Sequence, residues 1–167
     1  INPDVHAGLQ LAFRVSPSIE LYAEPMLTYQ FRRPVEYMSR YMKVQAAALV
    51  GVNYNFGGEK GSFSFRKASA PEKKQFVSVA LGTGINTQNF SFVEGGKRFT
   101  FTTDVTYGRW LTGVSGVRAG LSNSMLRHDH SSNKNLLSLH ADYLVNLLAL
   151  TTGESTEAKK FQMAAFA

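Results

Sequence analysis

Ile19-Glu20-Leu21-Tyr22-Ala23-Glu24-Pro25-Met26-Leu27-Thr28-Tyr29-Gln30-Phe31 alternates without a break. Ile19, Leu21, Ala23, Pro25, Leu27, Tyr29 and Phe31 fall on one side. Glu20, Tyr22, Glu24, Met26, Thr28 and Gln30 fall on the other. A two-residue period places successive side chains on opposite faces of an extended chain, so the segment is a strand with one apolar and one wet face. Stretches of about ten residues with this alternation, and charges on the wet side, are the sequence form of a transmembrane β-barrel strand.

The pattern recurs on both sides of this stretch. Val5, Ala7, Leu9, Leu11, Phe13 and Val15 oppose His6, Gly8, Gln10, Ala12 and Arg14, and Ser16-Pro17-Ser18 reads as the tight turn between the first two strands. Met42 to Phe56 sets Val44, Ala46, Ala48, Val50, Val52, Tyr54 and Phe56 against Lys43, Gln45, Ala47, Leu49, Gly51, Asn53 and Asn55. Residues 57–75 break the rhythm with Gly57-Gly58-Glu59-Lys60-Gly61 and Ala68-Ser69-Ala70-Pro71, a linker composition. Alternation resumes at Phe76 and returns in Phe99 to Leu111, in Gly116 to Ser122 and in Leu137 to Leu147. Phe161 to Ala167 begins an eighth strand. The expected fold class is all-β: an antiparallel up-and-down transmembrane β-barrel, with about eight strands in this chain, either complete or part of a larger barrel. The expected organisation is 1–56 as the closing three strands of a barrel repeat, 57–75 as a linker, and 76–167 as the opening strands of a second repeat.

Composition agrees with a barrel and excludes several alternatives. A mean hydropathy of −0.15 with 44% hydrophobic residues resembles a soluble protein, yet interleaved polar residues hide a membrane barrel from such averages. No window offers the roughly 18 to 20 continuous apolar residues of a spanning helix; Leu136 to Leu150 is too short and is interrupted by His140, Asp142 and Asn146. The absence of cysteine excludes a disulfide framework and thiolate metal sites. A net charge of +6 and a pI near 9.7 admit nucleic acid as a partner, but the basic residues are scattered or sit in connections such as Arg66-Lys67 and Lys73-Lys74, which suits solvent and lipid headgroups instead.

Two features orient the faces. The polar face gathers Arg14, Glu20, Glu24, Lys43, Asp104, Arg118, His140 and Asp142, interleaved with small residues such as Gly8, Ala12, Ala47, Gly51, Ala80, Gly82 and Gly84, which suits a tight interior of compensating charges. Aromatics stand near the ends of the apolar face: Tyr29, Phe31, Tyr54, Phe56, Phe99, Phe101 and Tyr107, where a bilayer has its interfaces. Both favour apolar side out, the inverse of a lipocalin-like carrier. Arg14, Glu20, Glu24 and Lys43 come from neighbouring strands, and ion pairs among them are expected. His140 and Asp142 with a serine could form a hydrolase site, but no motif marks a nucleophile, and a luminal plug is the simpler reading. His128-Asp129-His130 lies in a Ser/Asn-rich loop and reads as an outer loop rather than a metal cluster. No cofactor or metal is implied.

Several segments resemble a known family. Val50-Gly51-Val52-Asn53-Tyr54-Asn55-Phe56 resembles the closing strand of outer-membrane barrels, with its terminal aromatic. Asp104-Val105-Thr106-Tyr107-Gly108-Arg109-Trp110-Leu111-Thr112, followed by Gly116-Val117-Arg118-Ala119-Gly120, is similar to a strand-turn-strand of Bacteroidetes barrel domains related to outer-membrane protein A. Leu139-His140-Ala141-Asp142-Tyr143 and Ser18 to Pro25 fit the same family. The order departs from it, because the closing-strand motif precedes what resembles an opening strand; this suggests a fragment spanning two tandem repeats. The resemblance implies a bacterial outer-membrane location, with outer-membrane lipid, lipopolysaccharide and other outer-membrane proteins as partners. The expected function is a structural or accessory subunit of an outer-membrane complex, without catalysis. A porin-like channel, a soluble β-barrel ligand carrier and a lipid-modifying barrel enzyme are the alternatives.

Overall fold

The computed structural model describes residues 4–16, 18–30, 44–56, 75–87, 98–126, 134–152 and 161–167. Its strands are β1 (Asp4–Arg14), β2 (Ile19–Gln30), β3 (Val44–Phe56), β4 (Gln75–Thr87), β5 (Arg98–Trp110), β6 (Ser115–Leu126), β7 (Lys134–Asn146) and β8 (Phe161–Phe166), with a short helix α1 (Leu147–Thr152) between the last two. Each strand pairs antiparallel with its sequence neighbour, and β8 pairs with β1, closing an eight-stranded up-and-down barrel. β3 and β4 flank residues 57–74, yet they pair from Val44↔Thr87 to Phe56↔Gln75. The segments 1–56 and 76–167 therefore contribute adjoining strands to one closed sheet.

Side-chain alternation does the sorting. On β5, Thr100, Thr102, Asp104, Thr106 and Trp110 are buried while Phe101, Val105 and Tyr107 are exposed, and the same division runs around the barrel, with Val44 at the start of β3 buried although it shares the parity of the exposed Val50. The apolar face is the outer face: Leu21, Leu27, Val50, Leu81, Val105 and Leu121 are each about half exposed, whereas Glu20, Glu24, Arg118 and Asp142 are buried. An eight-stranded barrel is just wide enough for its inward side chains to fill it, and here they do so in layers. Phe76, Trp110, Leu144, Ala164 and Phe166 form one apolar cluster, and Ala12, Tyr22, Leu49 and Ala80 form another, with Met26 packed against both. Glycine makes room for the large members. A Cβ on Gly51 would lie 2.6 Å from Tyr22 Cζ, and one on Gly8 would lie 2.5 Å from Phe166 Cζ, closer than packed carbon atoms approach.

The turns are built as their residues suggest. Ser16 Oγ accepts the Ile19 amide at 3.0 Å and the Ser18 amide at 3.3 Å. Thr112 Oγ1 does the same for Val114 and Ser115 between β5 and β6, at 3.1 and 2.8 Å. Two expected boundaries are corrected. β7 begins at Lys134, before the expected start at Leu137, because its pairing with β6 runs on through Asn123, Ser124 and Met125 to Leu126↔Lys134 despite their weak strand preference. The seventh strand ends at Asn146 rather than Leu147: Asn146 Oδ1 accepts the Ala149 amide at 3.1 Å, a helix cap in front of Leu147-Leu148-Ala149-Leu150, all good helix formers but for the cap itself.

β8 is half the length of its neighbours, and this leaves an asymmetric seam. Its ladder with β1 spans Phe13↔Phe161 to Gly8↔Phe166, and its ladder with β7 only Asn146↔Ala164 to Leu144↔Phe166. Ala167 adds two backbone hydrogen bonds to Tyr143, at 2.9 and 3.3 Å. Among the described residues, Lys134 to Asp142 of β7 then pair with β6 alone. The outward Leu137 and Leu139 on that stretch are 72% and 77% exposed, above the 51% of Leu121 on β6.

Candidate functional site in the barrel lumen

Arg118 organises the interior. It stands in the first third of β6, 4% exposed, directly across from Asp142 on β7 and Gly108 on β5. Its Nε donates to Asp142 Oδ2. The other edge of the guanidinium reaches across the lumen to β2 and grips Glu24 with both nitrogens, Nη1 to Oε2 and Nη2 to Oε1, each at 2.7 Å. This fork-on-fork geometry is the strongest form of a charged hydrogen bond. Beneath it the Phe166 ring lies 4.3 Å from the guanidinium carbon, a cation–π contact held by the last residue of β8.

The carboxylates have further partners. His6 Nε2 on β1 donates to Asp142 Oδ1 at 2.5 Å, and Gln10 Nε2 donates to Glu24 Oε2 at 3.3 Å. His6 and His140 meet edge to face, with ring centroids 5.4 Å apart. His140 Nε2 lies 3.8 Å from Asp104 Oδ1, outside hydrogen-bond reach. A second, separate pair joins Arg14 to its cross-strand neighbour Glu20, with Nε at 3.0 Å and Nη2 at 2.7 Å from Oε1. Burying these ions is costly, and each is stable only while its partners stay in place.

Of the charged residues expected inside, Arg14, Glu20, Glu24, Asp104, Arg118, His140 and Asp142 all point inward; Lys43 lies outside the described residues. Arg14 and Glu20 pair as neighbouring strands suggest. Glu24 pairs with Arg118, contributed from across the lumen, a partner that the expectation of ion pairs between neighbouring strands did not name. The His140–Asp142 combination considered as a hydrolase site does not form either. Residues two apart on one strand are about 6.8 Å apart along it. Asp142 instead turns to His6 and Arg118. His6, Gln10 and Phe166 belong to the network although the sequence did not single them out. The inner parity of His6 and Gln10, shared with Arg14, was the available signal, whereas Phe166 sits in a segment too short to show a period.

Between the ion network and the rim where β2, β4 and β6 end lies a cavity of about 60 Å³. Its wall includes His6, Thr28, Thr102, Asp104, Ser122, Ser124, Ser138 and His140. On the outside, the aromatics fall into two bands. Tyr54, Phe56 and Tyr107 neighbour one another near one rim, with ring centroids 6.3 Å apart for both Tyr54–Phe56 and Phe56–Tyr107. Tyr29, Phe99 and Phe101 stand near the other rim, all on the exposed face; Phe31 and the His128-Asp129-His130 loop lie outside the described residues.

Fold and interior together define a closed, eight-stranded, all-β barrel with an apolar exterior and a packed, charged lumen. Compared with protein-family models, curated proteins and solved structures, the chain matches none.

Proposed function

We propose that the chain is an integral β-barrel of the bacterial outer membrane whose lumen is sealed, serving as a structural or accessory component of an outer-membrane assembly rather than as an enzyme. The observation that carries this reading is the inversion of the barrel: Leu, Val and aromatic side chains cover the outside, and Glu24, Arg118, Asp104 and Asp142 are enclosed. A soluble carrier would lose its hydrophobic driving force in that arrangement, because burial of apolar area is what stabilises a fold in water. In lipid the same exterior is matched, and the ladders that run from β1 to β7 satisfy backbone hydrogen bonds within the barrel. The strands β1 to β7, of 11 to 13 residues, at about 3.3 Å per residue and a tilt near 40°, span roughly 30 Å, enough for an apolar band about 25 Å tall, while β8 covers about half of that height.

The packed lumen supports a structural part over a porin-like one. Phe76, Trp110, Leu144 and Phe166 fill the width that a permeant solute would need. Catalysis has little support at Asp142, which is shared between His6 and Arg118 and so serves as a counter-ion. The resemblance of Asp104 to Gly120 and of Val50 to Phe56 to barrels related to outer-membrane protein A points to the same membrane. Reconstitution tests the proposal. The protein is expected to float with phosphatidylcholine vesicles after an alkaline carbonate wash and to give no steady conductance in planar bilayers. Recovery as a monodisperse monomer in detergent-free buffer would overturn the membrane reading; steady nanosiemens-scale conductance would overturn the sealed lumen.

A further inference from the structure

The luminal charges do not balance. Glu24, Asp104 and Asp142 face one guanidinium, Arg118, which spends its donors on Glu24 and Asp142; Arg14 and Glu20 neutralise each other elsewhere. Counting both imidazoles as neutral leaves an excess of two negative charges among the described luminal residues. Asp104 carries the part of that excess without a hydrogen-bonded base: His140 Nε2 stands 3.8 Å from its Oδ1, beyond hydrogen-bond reach. It is 8% exposed, its Oδ1 is buried without a hydrogen bond, and it lines the cavity of about 60 Å³. A buried carboxylate oxygen in this condition costs several kcal/mol unless a cation or donor reaches it.

We propose that this cavity binds a small monovalent cation of the ammonium or alkali-metal class, held by the Asp104 carboxylate and the hydroxyl groups that share the wall. The donor set selects the charge. Thr102, Ser122, Ser124 and Ser138 offer neutral oxygens, and Asp104 offers a carboxylate whose Oδ1 has no hydrogen bond; hard cations of this kind take oxygen ligands. Divalent metals ask for more carboxylates or imidazoles, and among the described residues no group of three or more His, Cys, Asp or Glu is placed to hold a metal ion. The cavity has room for such a guest, since its volume exceeds what one water-sized ion needs. The cation sits between the ion network and the rim, and it ties β5 to the hydroxyl-bearing strands β6 and β7.

The test is thermal unfolding of the micelle- or vesicle-inserted protein at pH 8.5, in ammonium, potassium, sodium or N-methylglucamine chloride at equal ionic strength. Expected is a midpoint several degrees higher in at least one small cation than in N-methylglucamine, rising with concentration to saturation. Asp104→Asn keeps the shape of the side chain and removes its charge, so it is expected to abolish the saturable rise. Equal wild-type midpoints in all four salts would overturn the proposal and leave water at Asp104, and that outcome needs no variant to fold. A rise that persists unchanged in folded Asp104→Asn would also overturn it, by placing the cation elsewhere.

Discussion

Replacing Arg118 with methionine removes the one cation that Glu24 and Asp142 share while keeping most of the side-chain volume. Both carboxylates then remain in the lumen, 4% exposed each, with Gln10 and His6 as their remaining partners. Stranding one member of a buried pair costs about 3 to 5 kcal/mol, and the loss of the Phe166 contact adds to it. With a urea dependence of about 2 kcal/mol per molar, the unfolding midpoint falls by roughly 2 M. Trp110, the single tryptophan and 9% exposed in the apolar layer, supplies the fluorescence signal. The triple change Arg118→Met, Glu24→Gln, Asp142→Asn removes the charges together and is expected to recover most of the loss, because an uncharged, well-packed replacement of a buried ion group is often close to neutral. A single-variant midpoint within error of the wild type would refute the reasoning. So would a triple variant as unstable as the single one, since that would trace the loss to packing.

Three other outcomes follow from the same contacts. Arg14→Ala is expected to cost about 3 kcal/mol in the same urea experiment, the low end for a buried pair, because the Arg14 side chain keeps 12% exposure near the β1–β2 turn. Gly108→Val drives a side chain into the Phe76 ring, whose atoms are the three nearest to a Cβ there, and is expected to destabilise by about 1 to 3 kcal/mol; adding Phe76→Ala should relieve the clash, which separates overpacking from a strand-propensity effect. Hydrogen exchange of the folded protein should protect the amides of β4, flanked by full ladders on both sides, more than those of β7 from Asn135 to Asp142, which pair with β6 alone among the described residues; equal protection would show that the seam beside β8 is closed.

The strands were legible from the sequence because a barrel writes its two faces residue by residue. Ile19 to Tyr29 and Phe99 to Trp110 keep their period from end to end, and burial follows it. Where alternation weakens, as at Ser122-Asn123-Ser124, the partner strand determines the structure, and no single segment carries that information. The short helix after Asn146 was missed for the opposite reason, since an apolar run such as Leu147 to Leu150 suits a strand and a helix alike. Parity placed seven of the eight expected luminal charges on the inner face, with Lys43 outside the described residues. Their pairing was less visible. Arg14 and Glu20 meet as register neighbours, whereas Arg118 and Glu24 are separated by 94 positions and meet only because closure brings β2 and β6 to face each other. Phe166 enters the site through the same closure, which sets it opposite Gly8.

The central claim, that the apolar face meets lipid, is tested most directly by nitroxide accessibility along β6 in the vesicle-reconstituted protein. The chain has no cysteine, so single-cysteine labels report one site each. Labels at Ala119, Leu121 and Met125, on the exposed face, are expected to relax with molecular oxygen and to resist a water-soluble nickel chelate; labels at Ser122 and Ser124, on the cavity side, are expected to lose the oxygen response. An alternation with period two in the oxygen signal is the predicted result. Ready access of the nickel chelate to Ala119 and Leu121 would contradict it, and with it the assignment of this barrel to a membrane.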